Sequence, residues 1–307
     1  MSTTDGRPVD AAETAPTTAS YYGRPIVKPH VWRWYIPLYF WIGGTAGAAA
    51  VECVCARMRG AHALATVEKR AALLGVLVAP PLLIADLGVK LRFVNMLRVF
   101  KLTSPMSVGS WILTGFGGAI AASTLAELLG WERTSRALEV VAAGFGPPLA
   151  VYTAVLVADT ATPAWHEAGD TLPFVFAASG MASAGAIGAA FAPPAESRSA
   201  RQLMIGGAIA LLAAGRAMDN QLGELLSEPY RIGKGGSLRR ASATCALAGI
   251  VIGTLGRKNR TATRVAAACV AAAGMIERFA VTAAGTQSAE DPKYTVESQR
   301  ARMQARD

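Results

Sequence analysis

Only three histidines occur in 307 residues, His30, His62 and His166. All three fall in expected links or tails between apolar segments. A haem held across a membrane bundle needs imidazoles that face one another inside helices, so this chain is expected to bind none. Cysteine is nearly as scarce: Cys53, Cys55, Cys245 and Cys269, with no CxxC spacing anywhere. On a helix Cys53 and Cys55 point about 200° apart and cannot share a metal. All four read as small core hydrophobes, which leaves no iron–sulphur cluster in this chain. Charge is short as well, at 17% of residues, against 52% hydrophobic and a mean hydropathy of +0.33. That balance argues against a soluble domain. The first 20 residues are polar, with no apolar h-region, and read as a disordered tail rather than a signal peptide.

What is present is a series of apolar stretches, each long enough to cross roughly 30 Å of hydrocarbon. The expected fold is an all-α integral membrane protein, a bundle of eight transmembrane helices at about 34–58, 69–89, 107–129, 136–159, 171–192, 200–226, 238–256 and 262–284. A short interfacial helix is expected between the second and third. Residues 1–20 form the tail, 21–284 the membrane domain and 285–307 a polar C-terminal tail. The net charge of +9 sits in the short links, which describes topology and gives no signal for nucleic acid. Sixteen Lys and Arg fall on the side of the termini and twelve opposite, which favours cytoplasmic termini.

Small residues three or four apart, such as Gly43, Gly44 and Gly47, or Gly180, Ala184 and Gly188, let helices approach closely in lipid. Two segments carry proline pairs, Pro80-Pro81 and Pro147-Pro148. Proline inside a spanning helix frees a carbonyl and bends the axis. Two bent helices can open a cleft between them.

The most informative stretch is DLGVKLRFVNMLRVFKLTSPMSVGSWILT, residues 86–114. As a helix, Phe93, Met96, Leu97 and Phe100 make one apolar stripe with Asn95 and Arg98 opposite, the pattern of a helix lying flat on a membrane. Ser104 and Pro105 then turn the chain back into the bilayer. This run resembles the signature loop of the NrfD-like family, integral membrane subunits of polysulphide reductase and related quinone-linked oxidoreductases. YYGRPIVKPHVWRWYIPLYFWIGGTAG at 21–47, and YTAVL followed by PAW within 152–165, are similar to the same family. After DLG the chain has Val89-Lys90 where many relatives have Arg-Pro.

The resemblance implies a bacterial inner-membrane subunit that binds menaquinone or ubiquinone and has no redox cofactor of its own. Its implied partners are a ferredoxin-like iron–sulphur subunit and a molybdopterin-dependent catalytic subunit, of formate dehydrogenase or polysulphide reductase type. Asp86, at the membrane boundary beside the basic loop, is the carboxylate expected to take protons. Tyr152, a turn after Pro148, has a phenol that can hydrogen-bond a quinone oxygen, and the resemblance implies a quinone-binding tyrosine on this helix. The first helix adds Trp34 and Tyr39 to the headgroup site. Tyr39 stands where an imidazole would be the better proton acceptor, and Ile36 offers no hydrogen bond. Arg92, Arg98 and Lys101 form the expected docking shelf for an acidic partner. Arg216, Asp219 and Glu277 are a candidate proton route, since ionisable groups inside spans are functional candidates. The opposite half of the bundle is expected to hold only Glu52 and Glu127. Two other readings stay open: a passive anchor for such a complex, and a secondary transporter.

Overall fold

The computed structural model describes residues 25–304, except Pro29, Val31, Gly88 and Val99 and the side chains of Arg92, Ala301 and Arg302. The expected tail 1–20 lies outside the described residues. Eight long helices carry the fold: α1 Tyr35–Met58, α2 His62–Asp86, α4 Pro105–Leu128, α5 Glu132–Ala158, α7 Leu172–Phe191, α8 Arg198–Ser227, α9 Gly233–Leu255 and α10 Arg260–Glu290. Three short ones join them: α3 Arg92–Met96, α6 Pro163–His166 and α11 Lys293–Gln304. A single 3-10 turn at Glu228–Tyr230 separates α8 from α9.

Six of the long helices are apolar enough over 18 residues to cross a membrane. The other two, α2 and α8, are as long but carry charge within their length, Glu68, Lys69, Arg70 and Asp86 in one and Arg216, Asp219 and Glu224 in the other. Consecutive long helices pack as antiparallel hairpins, α1 on α2, α4 on α5, α7 on α8 and α9 on α10. Helices α1 and α7 form the centre, each touching α2, α5 and α10 as well as one another.

The turns follow from local sequence. After α1 and α4 the chain reverses at Gly60 and Gly130, with φ of 77° and 75°. In each, the amide three residues past the last helical residue returns to the carbonyl five residues before it, Ala61 to Ala56 at 2.9 Å and Trp131 to Ala126 at 2.8 Å. That is the Schellman motif, which needs a left-handed residue at its bend. Ser104 caps α4 by accepting from the Ser107 amide at 3.4 Å, with Pro105 at the first helical position. Asn259 caps α10 through the amides of Thr261 and Ala262. Between helices, a Cβ at Gly47 would fall on the Gly146 carbonyl, so α1 and α5 meet backbone to backbone.

Several expected boundaries shift, each at a polar end that packing carries into the helix. The second segment starts at His62 rather than 69, the seventh at Gly233 rather than 238, and the eighth runs on to Glu290. Both proline pairs lie inside continuous helices. The run after DLG forms only five helical residues, ending at Met96. The apolar stripe therefore stops before Phe100, which instead packs edge-on against Trp111 of α4 at 6.1 Å.

Candidate functional site

Where α1 and α4 begin and α2 and α5 end, a cavity of about 80 Å³ opens between the four helices. Its polar lining is Tyr39 from α1, Asp86 from α2, Ser110 from α4 and Tyr152 from α5. Ile36, Phe40, Leu83 and Leu156 supply apolar wall, and Met96 and Met106 stand on the loop side. Three of the residues singled out from sequence, Tyr39, Asp86 and Tyr152, thus share one cavity, past both proline pairs.

Each polar group has a distinct setting. Tyr39 is 1% exposed, and its hydroxyl has no hydrogen-bond partner among the described residues. A buried polar atom left unpaired costs about 1–3 kcal/mol, so such atoms are uncommon and mark positions where something polar binds. Asp86 lies within electrostatic reach of the Tyr35 hydroxyl and of Arg33. Ser110 donates back along its own helix to the Met106 carbonyl at 2.8 Å and lies 3.8 Å from the Met96 sulphur. Tyr152 is held by what α4 lacks, because a Cβ at Gly109 would fall on its ring. Trp34 takes no part in this cavity. It is 63% exposed and lines a second cavity with Arg33, Lys234 and Glu290.

Beside the site, the PAW segment is anchored in the core. Trp165 is fully buried, donates to the Val281 carbonyl at 2.8 Å and stacks on Trp32 at 5.2 Å. Trp32 in turn lines the cavity.

The family model for polysulphide reductase NrfD matches residues 26–203, more than half of the chain and every residue that lines this cavity. The chain belongs to the NrfD family. Membership gives the coarse function, a membrane subunit of a quinone-linked oxidoreductase complex, and with the apolar helices it makes the chain a multi-pass membrane protein. No curated protein matches the chain at a significant level.

The other charged residues singled out from the sequence of this NrfD chain fall into three places. On the expected docking shelf, Arg98 and Lys101 are exposed, while the Arg92 side chain lies outside the described set. The candidate proton route gathers at a cavity of about 230 Å³ lined by Arg216, Asp219 and Glu277 together with Arg239 and Arg240. Here Asp219 does not pair with Arg216, one turn away on α8. Its partner is Arg239 at 3.4 Å, which also reaches Glu277 at 3.4 Å. Sequence reading put Arg239 at the very start of the seventh expected span, whereas α9 begins at Gly233 and carries it nearly two turns inside. Arg278, fully buried, donates to the Phe176 carbonyl at 2.8 Å and covers that ring at 3.5 Å.

At the opposite end, the expectation of only Glu52 and Glu127 is wrong. Glu68, Lys69 and Glu139 are buried there too. Arg57 grips Glu139 through two hydrogen bonds. Lys69 reaches Glu139 at 3.1 Å and also bonds Glu127, Ser135 and the Ser123 carbonyl. Glu139 lay inside an expected span and Lys69 at the first position of another; Glu68 is brought in by the early start of α2.

Proposed function

We propose that this NrfD subunit binds the headgroup of menaquinone or ubiquinone in the cavity between α1, α2, α4 and α5. The observation that carries this is the buried, unpartnered hydroxyl of Tyr39, a residue that lines the same cavity as Asp86 and Tyr152. A quinone offers two carbonyl oxygens across a flat apolar ring, which suits two phenols on an apolar wall. The empty space is smaller than a typical ligand pocket. Entry therefore requires Met96 and Met106 to swing aside, a movement that three rotatable bonds per side chain permit.

In this reading the Tyr39 and Tyr152 hydroxyls hold the ring oxygens. Quinol oxidation releases two electrons and two protons. Asp86 accepts a proton at the membrane boundary, with Tyr35 and Arg33 holding its carboxylate in place. Arg216, Asp219 and Glu277 extend a proton route behind the site. Arg278, next to Glu277 in the chain, covers Phe176, which packs on the lining residue Phe40 at 6.1 Å, a contact that couples the packing of the two sites and carries no proton. Electrons pass to or from a ferredoxin-like iron–sulphur subunit docked on Arg92, Arg98 and Lys101, and beyond it a molybdopterin catalytic subunit. The termini and this partner lie on the cytoplasmic side of a bacterial inner membrane, spanned by all eight long helices.

The test is quinone-linked turnover of the assembled complex carrying Tyr39→Phe, Asp86→Asn or Tyr152→Phe. Turnover should fall in each while the subunits still co-purify. Wild-type turnover in all three would remove the site and leave the subunit as a passive anchor.

A further inference from the structure

Two buried carboxyl groups at the far end of the bundle lack any counter-charge. Glu68 of α2 is 0% exposed and Glu52 of α1 is 6% exposed. By hydrogen-bond geometry both oxygens of Glu68, and Oε1 of Glu52, have no partner among the described residues, although the Gly188 amide lies near enough to favour the charged form of Glu68. Each stands eight residues from Gly60 at the turn of the α1–α2 hairpin, which sets them at one level of the two packed helices, and the two carboxyl groups interact electrostatically. Space for the Glu68 carboxyl comes from Gly188 of α7, where a Cβ would fall on Glu68 Oε1.

The charged neighbours are committed elsewhere. Lys69 and Arg57 are bound to Glu139, and Lys69 also to Glu127. From the α7–α8 side, Glu196 accepts from the Ala63 amide at 2.7 Å, capping α2. Arg260 of α10 donates to the carbonyls of Ala190 and Ala192. Arg70 is exposed, on the outer side of α2. Cys53, next to Glu52 on α1, is buried as well.

An isolated carboxylate in such a setting is expensive, and a second one beside it more so. Neutralisation by a proton removes the charge, and a protonated carboxyl needs no cation. We propose that Glu52 and Glu68 form an exchangeable proton site, which binds one proton from the aqueous phase at the α1–α2 turn. A carboxylate plus a proton gives the neutral acid, and release reverses the step. The pair lies 13 residues beyond Tyr39 along α1, about 20 Å at helical rise. It is therefore separate from the quinone cavity and independent of what that cavity binds.

The test is infrared difference spectroscopy on the purified full-length chain, stepped between acid and alkaline pH in H₂O and D₂O. Wild type should show the carbonyl stretch of a protonated carboxylic acid persisting at neutral pH and shifting down in D₂O. That band should be lost in Glu68→Gln and lost or displaced in Glu52→Gln, but kept in Glu132→Gln at an exposed position. If Glu68→Gln fails to fold, the Glu52→Gln spectrum decides. An unchanged band in the folded variants overturns the proposal. So does a sodium-dependent rise in the melting temperature of wild type that both variants lose, because the ligand would then be a metal cation.

Discussion

Removing one oxygen from Tyr39 takes away a hydroxyl that is buried and unpartnered, so Tyr39→Phe should leave the melting temperature unchanged or slightly raised. Quinone-linked turnover should nevertheless fall about tenfold, the worth of one good hydrogen bond. A matching fall in thermal stability would mean that the hydroxyl had a structural partner instead. Gly109→Ala tests the other half of the site. The added methyl lands on the Tyr152 ring, an overpacking that costs about 1–3 kcal/mol. The KM for quinone should rise while helical content by circular dichroism stays constant. The His30 ring, packed against Trp32 and Trp165, is a pH-sensitive contact. Burial lowers its pKa, so its packing contributes fully above the ordinary value of 6.5 and is lost as pH falls through the lowered one.

Among the elements, α5 is tied to α1 and α2 by a single carboxylate. Glu139 is 2% exposed at its side chain and bridges Arg57 and Lys69. Taking one partner from a buried ion pair costs about 3–5 kcal/mol, since the others stay behind as uncompensated charge. Glu139→Gln should therefore lower unfolding free energy by an amount of that order. Glu132→Gln, in the exposed pair with Arg136, should change it by less than about 1 kcal/mol. Equal losses would contradict the burial argument. The C-terminal α11 is held by a surface contact, Lys293 to Glu228 at 2.7 Å, with the Tyr294 hydroxyl donating to the same carboxylate at 3.2 Å. Lys293 lowers the Glu228 pKa, and Glu228 raises that of Lys293. The Glu228 contribution is complete above its ordinary 4.5 and is lost as pH falls through the lowered value. The Lys293 contribution is complete below 10.5 and is lost as pH rises through the raised value. Tryptic cleavage after Lys293 should thus be slow and flat with pH through the neutral range, and hydrogen exchange in α11 should quicken in acid.

For the whole molecule, the test is assembly. Arg98 and Lys101 are exposed at the same end of the bundle as the cavity of Tyr39, Asp86 and Tyr152, so a partner seated on them would lie close to that cavity. Reversing both charges, Arg98→Glu with Lys101→Glu, should cut recovery of the iron–sulphur subunit in a pull-down, most clearly at low salt where unscreened charge acts furthest. Undiminished recovery would remove the docking shelf.

Composition and hydropathy were enough to determine a helical membrane protein, because a bilayer admits only segments that satisfy their own backbone. The order of residues in 86–114 was enough to point to the family. Tyr39, Asp86 and Tyr152 could each be chosen from sequence, since each is a polar residue in or at the edge of an apolar run. Only tertiary structure decided that they face one cavity, that Gly109 makes room for Tyr152, and that Trp34 does not join them. The buried charges were the least legible part. Glu68 falls just outside, and Lys69 and Arg239 at the very edge of, the spans drawn by hydropathy alone, because a cation or carboxylate lowers the window that contains it. It is neighbouring helices that settle whether such a group is solvated, paired or stranded, and those neighbours are remote along the chain.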